Sequence, residues 1–307
     1  MVERVEELAA SQGDVLSRGQ AGELGADRHH IAHQVRVGRW LARGSRTVAI
    51  HRGPLPPEAT RHSALFEVGA GAALDGATAL QVAGLERFEA KVHVSMQHGR
   101  RPGRPPDVVV HELIAWREEH VIDAGIRRVR PEVAAVRAAA WAVSDRQAAL
   151  VLLMTAQQKV ALPERMLAHA EAQLRLRRRE LIEGVLADTV DGAQSLGELD
   201  FARLCRQRGL PEPSRQVVRR RPSGRAYLDV VWEDFGVAVE IDGIHHLDPE
   251  NAMEDQLRQN DLVLLPGSES MLRVMSWALR VDPAPFLDQL EELLVSRGAR
   301  LNTSKRR

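Results

Sequence analysis

A single cysteine, Cys205, in 307 residues excludes a disulfide framework and any cysteine-based zinc site, and it fits a reducing compartment. Lysine is nearly as scarce. Of 42 basic residues only Lys91, Lys159 and Lys305 are lysines, leaving 39 arginines, a bias that reflects codon usage in part but also favours bidentate phosphate contacts. Net charge is absent too, because 42 acidic side chains balance the basic ones. That balance excludes a uniformly basic, histone-like binder and leaves any polyanion to be met by a local patch. Aromatics make up only 4% of the chain, and Trp40, Trp116, Trp141, Trp232 and Trp277 are scattered, so no stacking platform for single strands is visible. Long apolar runs are missing: the longest, Ala148 to Met154, falls far below the roughly 18 residues a membrane span needs. Met1-Val2-Glu3-Arg4 opens no signal peptide. These absences predict a soluble, cytoplasmic protein with no membrane partner. What remains, 44% hydrophobic and 27% charged, is ordinary for globular folds at a length that suits two or three domains.

The pattern along the chain predicts an α/β multidomain protein: a winged helix-turn-helix over 1–57, an α/β and helical middle domain over 58–190, a carboxy-terminal α/β domain with a mixed sheet over 191–300, and a basic tail over 301–307. Helical spacing at Val2, Val5, Leu8 and Ala9 is followed by a break at Gly13-Asp14 and a second short helix from Ser17 or Arg18 to Leu24. Asp27 is placed to cap a third helix to about Gly38, with Ile31 and Val35 on its buried face. Thr47 to Ile50 then reads as a strand. Three short helices followed by a β-ribbon are the order of a winged helix-turn-helix. In the middle region Leu65 to Gly84 reads as helical patches, Lys91 to Met96 and Val108 to Glu112 as strands, and Glu132 to Val143, Ser144 to Val160 and Pro163 to Asp188 as helices. The last of these carries Arg175, Arg177, Arg178 and Arg179, a pattern typical of a solvated helix face. The third region reads as a helix from a Ser195-to-Glu198 capping box to Gly209, three strands near 215–221, 225–232 and 236–242, a helix over Pro249 to Gln259, short strands at Leu262 to Leu265 and Leu272 to Met275, and a terminal helix from Pro283 to Ser296.

The chemistry concentrates in the hairpin Tyr227 to Asp242. If Glu233 faces Gly236 across a two-residue tip, equivalent to Trp232 facing Val237, then Asp229 lies directly opposite Glu240. Asp242 falls on the same face, because strand side chains alternate, while Val230, Val237, Val239 and Ile241 fall on the other. Like charges set opposite one another destabilise a sheet unless something neutralises them. Clustered carboxylates suit a hard cation such as Mg²⁺ or Mn²⁺, which can activate a bound water and stabilise charge on a phosphoryl group. Gly243 permits close backbone approach, and His246 is the better placed of the His245-His246 pair to move protons or contact phosphate. Glu198 either serves only its capping box or reaches the same cluster. A purely structural ion site would leave the Gly and His neighbours idle. Arg219-Arg220-Arg221 reads either as an edge-strand guard or as a phosphate rail.

Ser195 to Glu198, Asp229, Glu240-Ile241-Asp242-Gly243, His246, Arg258 and Leu272-Arg273 resemble the PD-(D/E)xK nuclease superfamily in its very-short-patch-repair-like branch, a restriction-endonuclease-like fold. The resemblance spans about Ser195 to Ser296 and implies metal-dependent hydrolysis of DNA phosphodiesters, with Asp229, Glu240 and Asp242 at the ion and His246 and Glu198 beside it. Asp242 stands where the general motif has lysine, which removes the usual water-activating cation and leaves His246 or Arg258 to serve. The region from Asp14 to Gly53, and more loosely to Val160, is similar to the AbiEi-type antitoxin-like regulators of abortive-infection systems. That likeness implies a DNA partner and a toxin or defence-system partner. Between Asp27 and Arg52 six arginines face one acid. Arg28, His29 and Gln34 are placed to face a major groove, and Arg39, Arg43 and Arg46 to contact phosphates near the wing, with Arg36 a further DNA-binding candidate; the same residues also suit a solvated basic helix in a protein-interaction module. The expected function is therefore a metal-dependent endonuclease on a DNA-binding protein, and the alternative is an antitoxin-like transcriptional regulator whose nuclease fold is inactive.

Overall fold

Val5 and Ala9, four residues apart, give the first helix, α1 (Val2–Ala10), its buried side. The computed structural model describes residues 2–191, 201–220, 226–242 and 271–301 together with Met253, Gln256, Leu257, Gln259 and Asn260, and for 191, 215–220 and 226–229 it describes the backbone alone. The protein is mixed α/β; its described residues form three sheets and fall into two units, 1–134 and 135–307.

In the first unit the chain turns after α1 into β1 (Val15–Ser17), a strand too short to show as a sequence pattern. Ser17 then caps α2 (Arg18–Glu23): its Oγ accepts from the Gln20 amide at 3.1 Å, and Gln20 Oε1 accepts from the Ser17 amide at 2.9 Å. This reciprocal box satisfies two amides that the first helical turn leaves open. Asp27 caps α3 (Arg28–Arg36) as its position predicts, accepting from the His30 amide at 2.8 Å. β2 (Leu41–Ala42) and β3 (Thr47–Ala49) complete a three-stranded antiparallel sheet in the order β1-β3-β2. Its core is Val5, Ala9, Leu16, Ala21, Ala26, Ile31 and Val48, with Val35 packed against it.

Next come α4 (Pro57–Val68), β4 (Ala73–Leu74), α5 (Gly76–Val82), β5 (Val92–Gln97), β6 (Val108–Leu113), β7 (Val121–Ile122) and β8 (Arg128–Val129). They form a five-stranded sheet, β6-β5-β4-β8-β7, in which the β5–β6 and β4–β8 pairs are parallel. The helical stretch expected from Leu65 to Gly84 is thus divided by β4. Gly69, at φ 118°, ends α4 in a backbone region closed to other residues, and Ala73-Leu74 is wholly buried between β5 and β8. Pairing on both sides overrides alanine's preference for helix.

α6 (Pro131–Trp141) carries the chain into the second unit, where Ser144 caps α7 (Asp145–Gln157), its Oγ accepting from the Gln147 amide at 3.1 Å. The single helix expected from Pro163 to Asp188 is instead two, α8 (Pro163–Glu171) and α9 (Arg179–Asp191). The break has a local cause that periodicity does not carry. Arg178 adopts φ 57° and sends Nε to Asp145 Oδ1 at 2.7 Å and Nη1 to the Ala140 carbonyl at 3.2 Å, so its side chain fastens the connection instead of extending a helix. α9 is anchored further on, where Arg280 grips the buried Asp188 carboxylate through two bonds of 2.9 Å each.

The remaining elements are α10 (Phe201–Arg208), β9 (Arg215–Arg220), β10 (Ala226–Trp232), β11 (Val237–Asp242), β12 (Met271–Met275), α11 (Ser276–Val281) and α12 (Ala284–Ser296). The sheet order is β12-β11-β10-β9: an antiparallel meander of β9, β10 and β11, with β12 added parallel to β11. A mixed sheet is therefore present as expected. Between β10 and β11 the Glu233–Phe235 segment makes a 3₁₀ turn closed by Gly236 at φ 59°, so the ladder ends at Trp232 and Val237 with the expected register unchanged. Phe201 packs edge-on to Trp232 at 6.5 Å and against Phe286 at 6.2 Å, tying α10 and α12 to the sheet. The Ser195 capping box and the strand expected at Leu262 to Leu265 lie outside the described residues.

Candidate functional site

Alternation sorts β11 into two sets. Val237, Val239 and Ile241 are buried, and with Val230 and Trp232 of β10 and Leu272 and Val274 of β12 they make an apolar layer. Each such side chain removed from water contributes roughly 1.5–3 kcal/mol, which holds the hairpin in register. The positions between them are Ala238, Glu240 and Asp242. Register aligns Val217, Asp229, Glu240 and Arg273 in one row across the four strands, and Arg219, Tyr227, Asp242 and Met275 in the next.

Asp229 thus faces Glu240 on one side, as the hairpin arithmetic predicts, and Arg273 faces Glu240 on the other. The Glu240 carboxylate is only 5% exposed, and Arg273 Nε lies 3.1 Å from its Oε2 while half of the arginine side chain stays in solvent. A buried carboxylate beside a second acid requires positive charge nearby. Arg273 supplies it from the neighbouring strand, so a cation lies next to Glu240.

The backbone of Arg273 is itself fixed. Among the described residues β12 is the outer strand of the sheet, and the buried Asn260 pairs with its backbone as a further strand would: its Oδ1 accepts from the Arg273 amide at 3.0 Å and its Nδ2 donates to the Arg273 carbonyl at 2.8 Å. Asn260 Nδ2 also donates to Gln289 Oε1 at 3.2 Å, and Gln289 Nε2 donates to the Leu257 carbonyl at 2.9 Å. Sequence reasoning assigned Arg273 no role and missed Asn260, because both contacts span residues far apart in the chain.

Asp242 is half-buried at the end of β11. The side chain of Asp229, and Glu198, His246, His245, Gly243 and Arg258 altogether, lie outside the described residues. Among the described residues no group of three or more His, Cys, Asp or Glu could hold a metal ion. The proposed cluster takes one of its three acids, Asp229, from outside the described side chains.

In the first unit Arg28, His29 and Arg36 are exposed on α3, Gln34 is half-buried there, and Arg39 and Arg43 are exposed just beyond it. Gln34 and Arg36 contact neighbouring histidines of their own helix, His30 at 3.3 Å and His33 at 3.1 Å. Among the described residues none of Arg28, Arg36, Arg39 and Arg43 pairs with a carboxylate. Arg46 is different. Its Nη1 donates to the Glu67 and Val68 carbonyls at 3.3 Å each, turning the side chain toward the end of α4. The Glu67 carboxylate in turn accepts from the Ser45 amide and hydroxyl, the Arg46 amide and the Thr47 hydroxyl, at 2.7–3.1 Å. Partial burial opposes ionisation of Glu67, but bonds from Thr47, Arg46 and Ser45 outweigh it, so its carboxyl titrates below the usual carboxylate range. Asp27 is likewise lowered, chiefly by the His30 amide at the helix start.

No family model and no curated protein matches the chain. The crystal structure of RV2827C protein from Mycobacterium tuberculosis is similar to it at 17% identity and a TM-score of 0.40, over 64% of this chain and 80% of that one. Among the described residues no helix is long and apolar enough to cross a membrane.

Proposed function

We propose that this chain is a DNA-binding protein whose carboxy-terminal sheet hydrolyses phosphodiester bonds with the help of a divalent cation. The observation that carries this reading is the register that sets Asp229 opposite Glu240, with Asp242 two residues further along the same strand. Three carboxylates form a donor set suited to a hard cation, and one of them, Glu240, is held in the protein interior. Asp229, Glu240 and Asp242 would hold Mg²⁺ or Mn²⁺, which supplies an activated water and neutralises charge on the phosphoryl oxygens. Arg273 fixes Glu240 through Nε, and its exposed end is left to steady a phosphate oxygen, the task the absent lysine would share. His246 carries the proton, and Glu198 orients the water if it reaches the cluster.

The helices α2 and α3 with the three-stranded sheet fit a winged helix-turn-helix, with Arg28, His29, Gln34 and Arg36 on the recognition helix and Arg39 and Arg43 toward the wing. Arg28, Arg36, Arg39 and Arg43, answered by no acid among the described residues, support a phosphate partner. A second reading, an antitoxin-like regulator with an inactive nuclease fold and a toxin partner, is favoured by the Arg273–Glu240 pair, which answers the buried acid without an ion.

Plasmid DNA incubated with Mg²⁺ or Mn²⁺ and the intact protein, alongside Asp229→Ala and Glu240→Ala, tests the enzyme. Cleavage lost in both variants is the expected result. Cleavage equal in all three, or absent under each metal, removes the enzyme reading; salt-dependent DNA binding that persists in both variants then leaves the regulator.

A further inference from the structure

The first unit contains a cleft of about 530 Å³ between the start of α2, the turn joining β2 to β3 and the end of α4. Its size lies within the roughly 300–1,000 Å³ of small-molecule sites. Leu65, Phe66 and Ala72 give it an apolar wall, and three arginines, Arg18, Arg46 and Arg127, line it as well. A Cβ placed on Gly71, which also lines the cleft, would meet nothing within 4 Å, so that wall borders open space.

The three guanidinium groups are not equivalent. Arg127 is neutralised by Glu118 and Asp123, and Arg46 is committed to the last carbonyls of α4. Arg18 makes no ion pair among the described residues, and its Nε is buried without an acceptor. Arg127 Nε shares that condition. Neither Nε is open to the cleft, but the Arg18 guanidinium in its wall carries a charge that no described acid neutralises, and such a cation calls for an anion. The apolar side chains that share the cleft with Arg18 suit an anion that brings an apolar body.

We propose that this cleft binds a small organic anion, a carboxylate or phosphate head on an apolar body, with the head at Arg18 and the body against Leu65 and Phe66. The site joins the turn between β2 and β3 to the end of α4, through the same segment that Glu67 tethers. It is independent of the carboxylates of β11.

Titration calorimetry of the intact protein with octyl phosphate, octanoate, octanol and inorganic phosphate tests this. Saturable binding of octyl phosphate, octanoate or both is expected, the pair reporting whether the head is phosphate or carboxylate. Octanol and inorganic phosphate should bind at least about tenfold more weakly, since each lacks one half of the recognition. Arg18→Gln removes the charge, and Ala70→Trp fills the cleft from an exposed position in its wall; each should weaken binding at least about tenfold. Absence of saturable binding by both anions, equal binding of octanol, binding of inorganic phosphate as tight as octyl phosphate, or binding unchanged in both variants would overturn the proposal. So would displacement of octyl phosphate by duplex DNA, which would make the cleft a backbone contact instead.

Discussion

Arg273 and Glu240 face each other across the parallel pair β11–β12, and the arginine Nε sits 3.1 Å from a carboxylate that is almost wholly buried. The pair joins β12 to the row that contains Asp229. It also places a positive charge, from a different strand, beside the buried acid of β11.

Removing the arginine leaves a buried acid facing a second acid. Arg273→Gln should destabilise the protein by about 1–3 kcal/mol, the range for leaving a buried polar group without its partner, with the lower part favoured because the guanidinium is half in solvent. Adding Glu240→Gln to that variant should recover part of the loss. Urea unfolding of both single variants and the double variant reads the coupling; strictly additive effects would show that the pair is incidental.

Asn260→Ala leaves the amide and carbonyl of Arg273 without their partners at the edge of β12. We expect a loss of about 1–3 kcal/mol and faster amide exchange at Arg273. Asn260→Asp should restore only the bond to the amide. An exchange rate at Arg273 unaffected by Asn260→Ala would contradict the positioning role.

The hairpin register was legible in the sequence because two constraints agree. Alternation of Val230, Val237, Val239 and Ile241 fixes the buried face, and the short distance from Trp232 to Val237 fixes which residues face each other. The cap at Asp27 was legible for a similar reason, since it acts within three residues of itself. Arg273 on Glu240 was not, because β12 joins in parallel after a long crossover whose length sets no register. Nor was β4, whose two residues become a strand only through neighbours on both sides, nor the break before α9, which Arg178 makes by reaching back to Asp145. For the same reason Arg46 looked like another free cation: its ties to α4 run to residues about twenty positions away.

Acid should loosen the first unit. The carboxyl of Glu67 is depressed, so its stabilisation is present above the unfolded carboxylate range and is lost as pH falls toward and through its folded value. Burial depresses His62, and burial depresses His93 against the opposing pull of Asp75; both favour the neutral ring, so their contribution is full above the unfolded value of about 6.5 and fades below it. Thermal unfolding should therefore shift downward between about pH 7.5 and about pH 5.5 through the histidines, and further in the carboxylate range through Glu67. Glu67→Gln should flatten the lower portion only. A melting temperature that rises on acidification would have the wrong sign.

The arginines of the first unit should separate into two classes. Arg36→Ala and Arg39→Ala should weaken duplex binding and lower the salt slope by about one each, whereas Arg46→Ala should chiefly lower stability, since its guanidinium serves the end of α4. Fluorescence anisotropy over a salt series, with melting temperatures for the same proteins, distinguishes the classes. Equal loss of affinity from all three substitutions would refute the division.

Binding of Mn²⁺ to the intact protein, followed by titration calorimetry beside Asp229→Asn, tests most directly whether the facing acids of β10 and β11 form one cation site. The account predicts saturable binding weakened at least about tenfold by Asp229→Asn, with an unchanged melting temperature. Binding that is absent from the unaltered protein, or equally tight in Asp229→Asn, would contradict it.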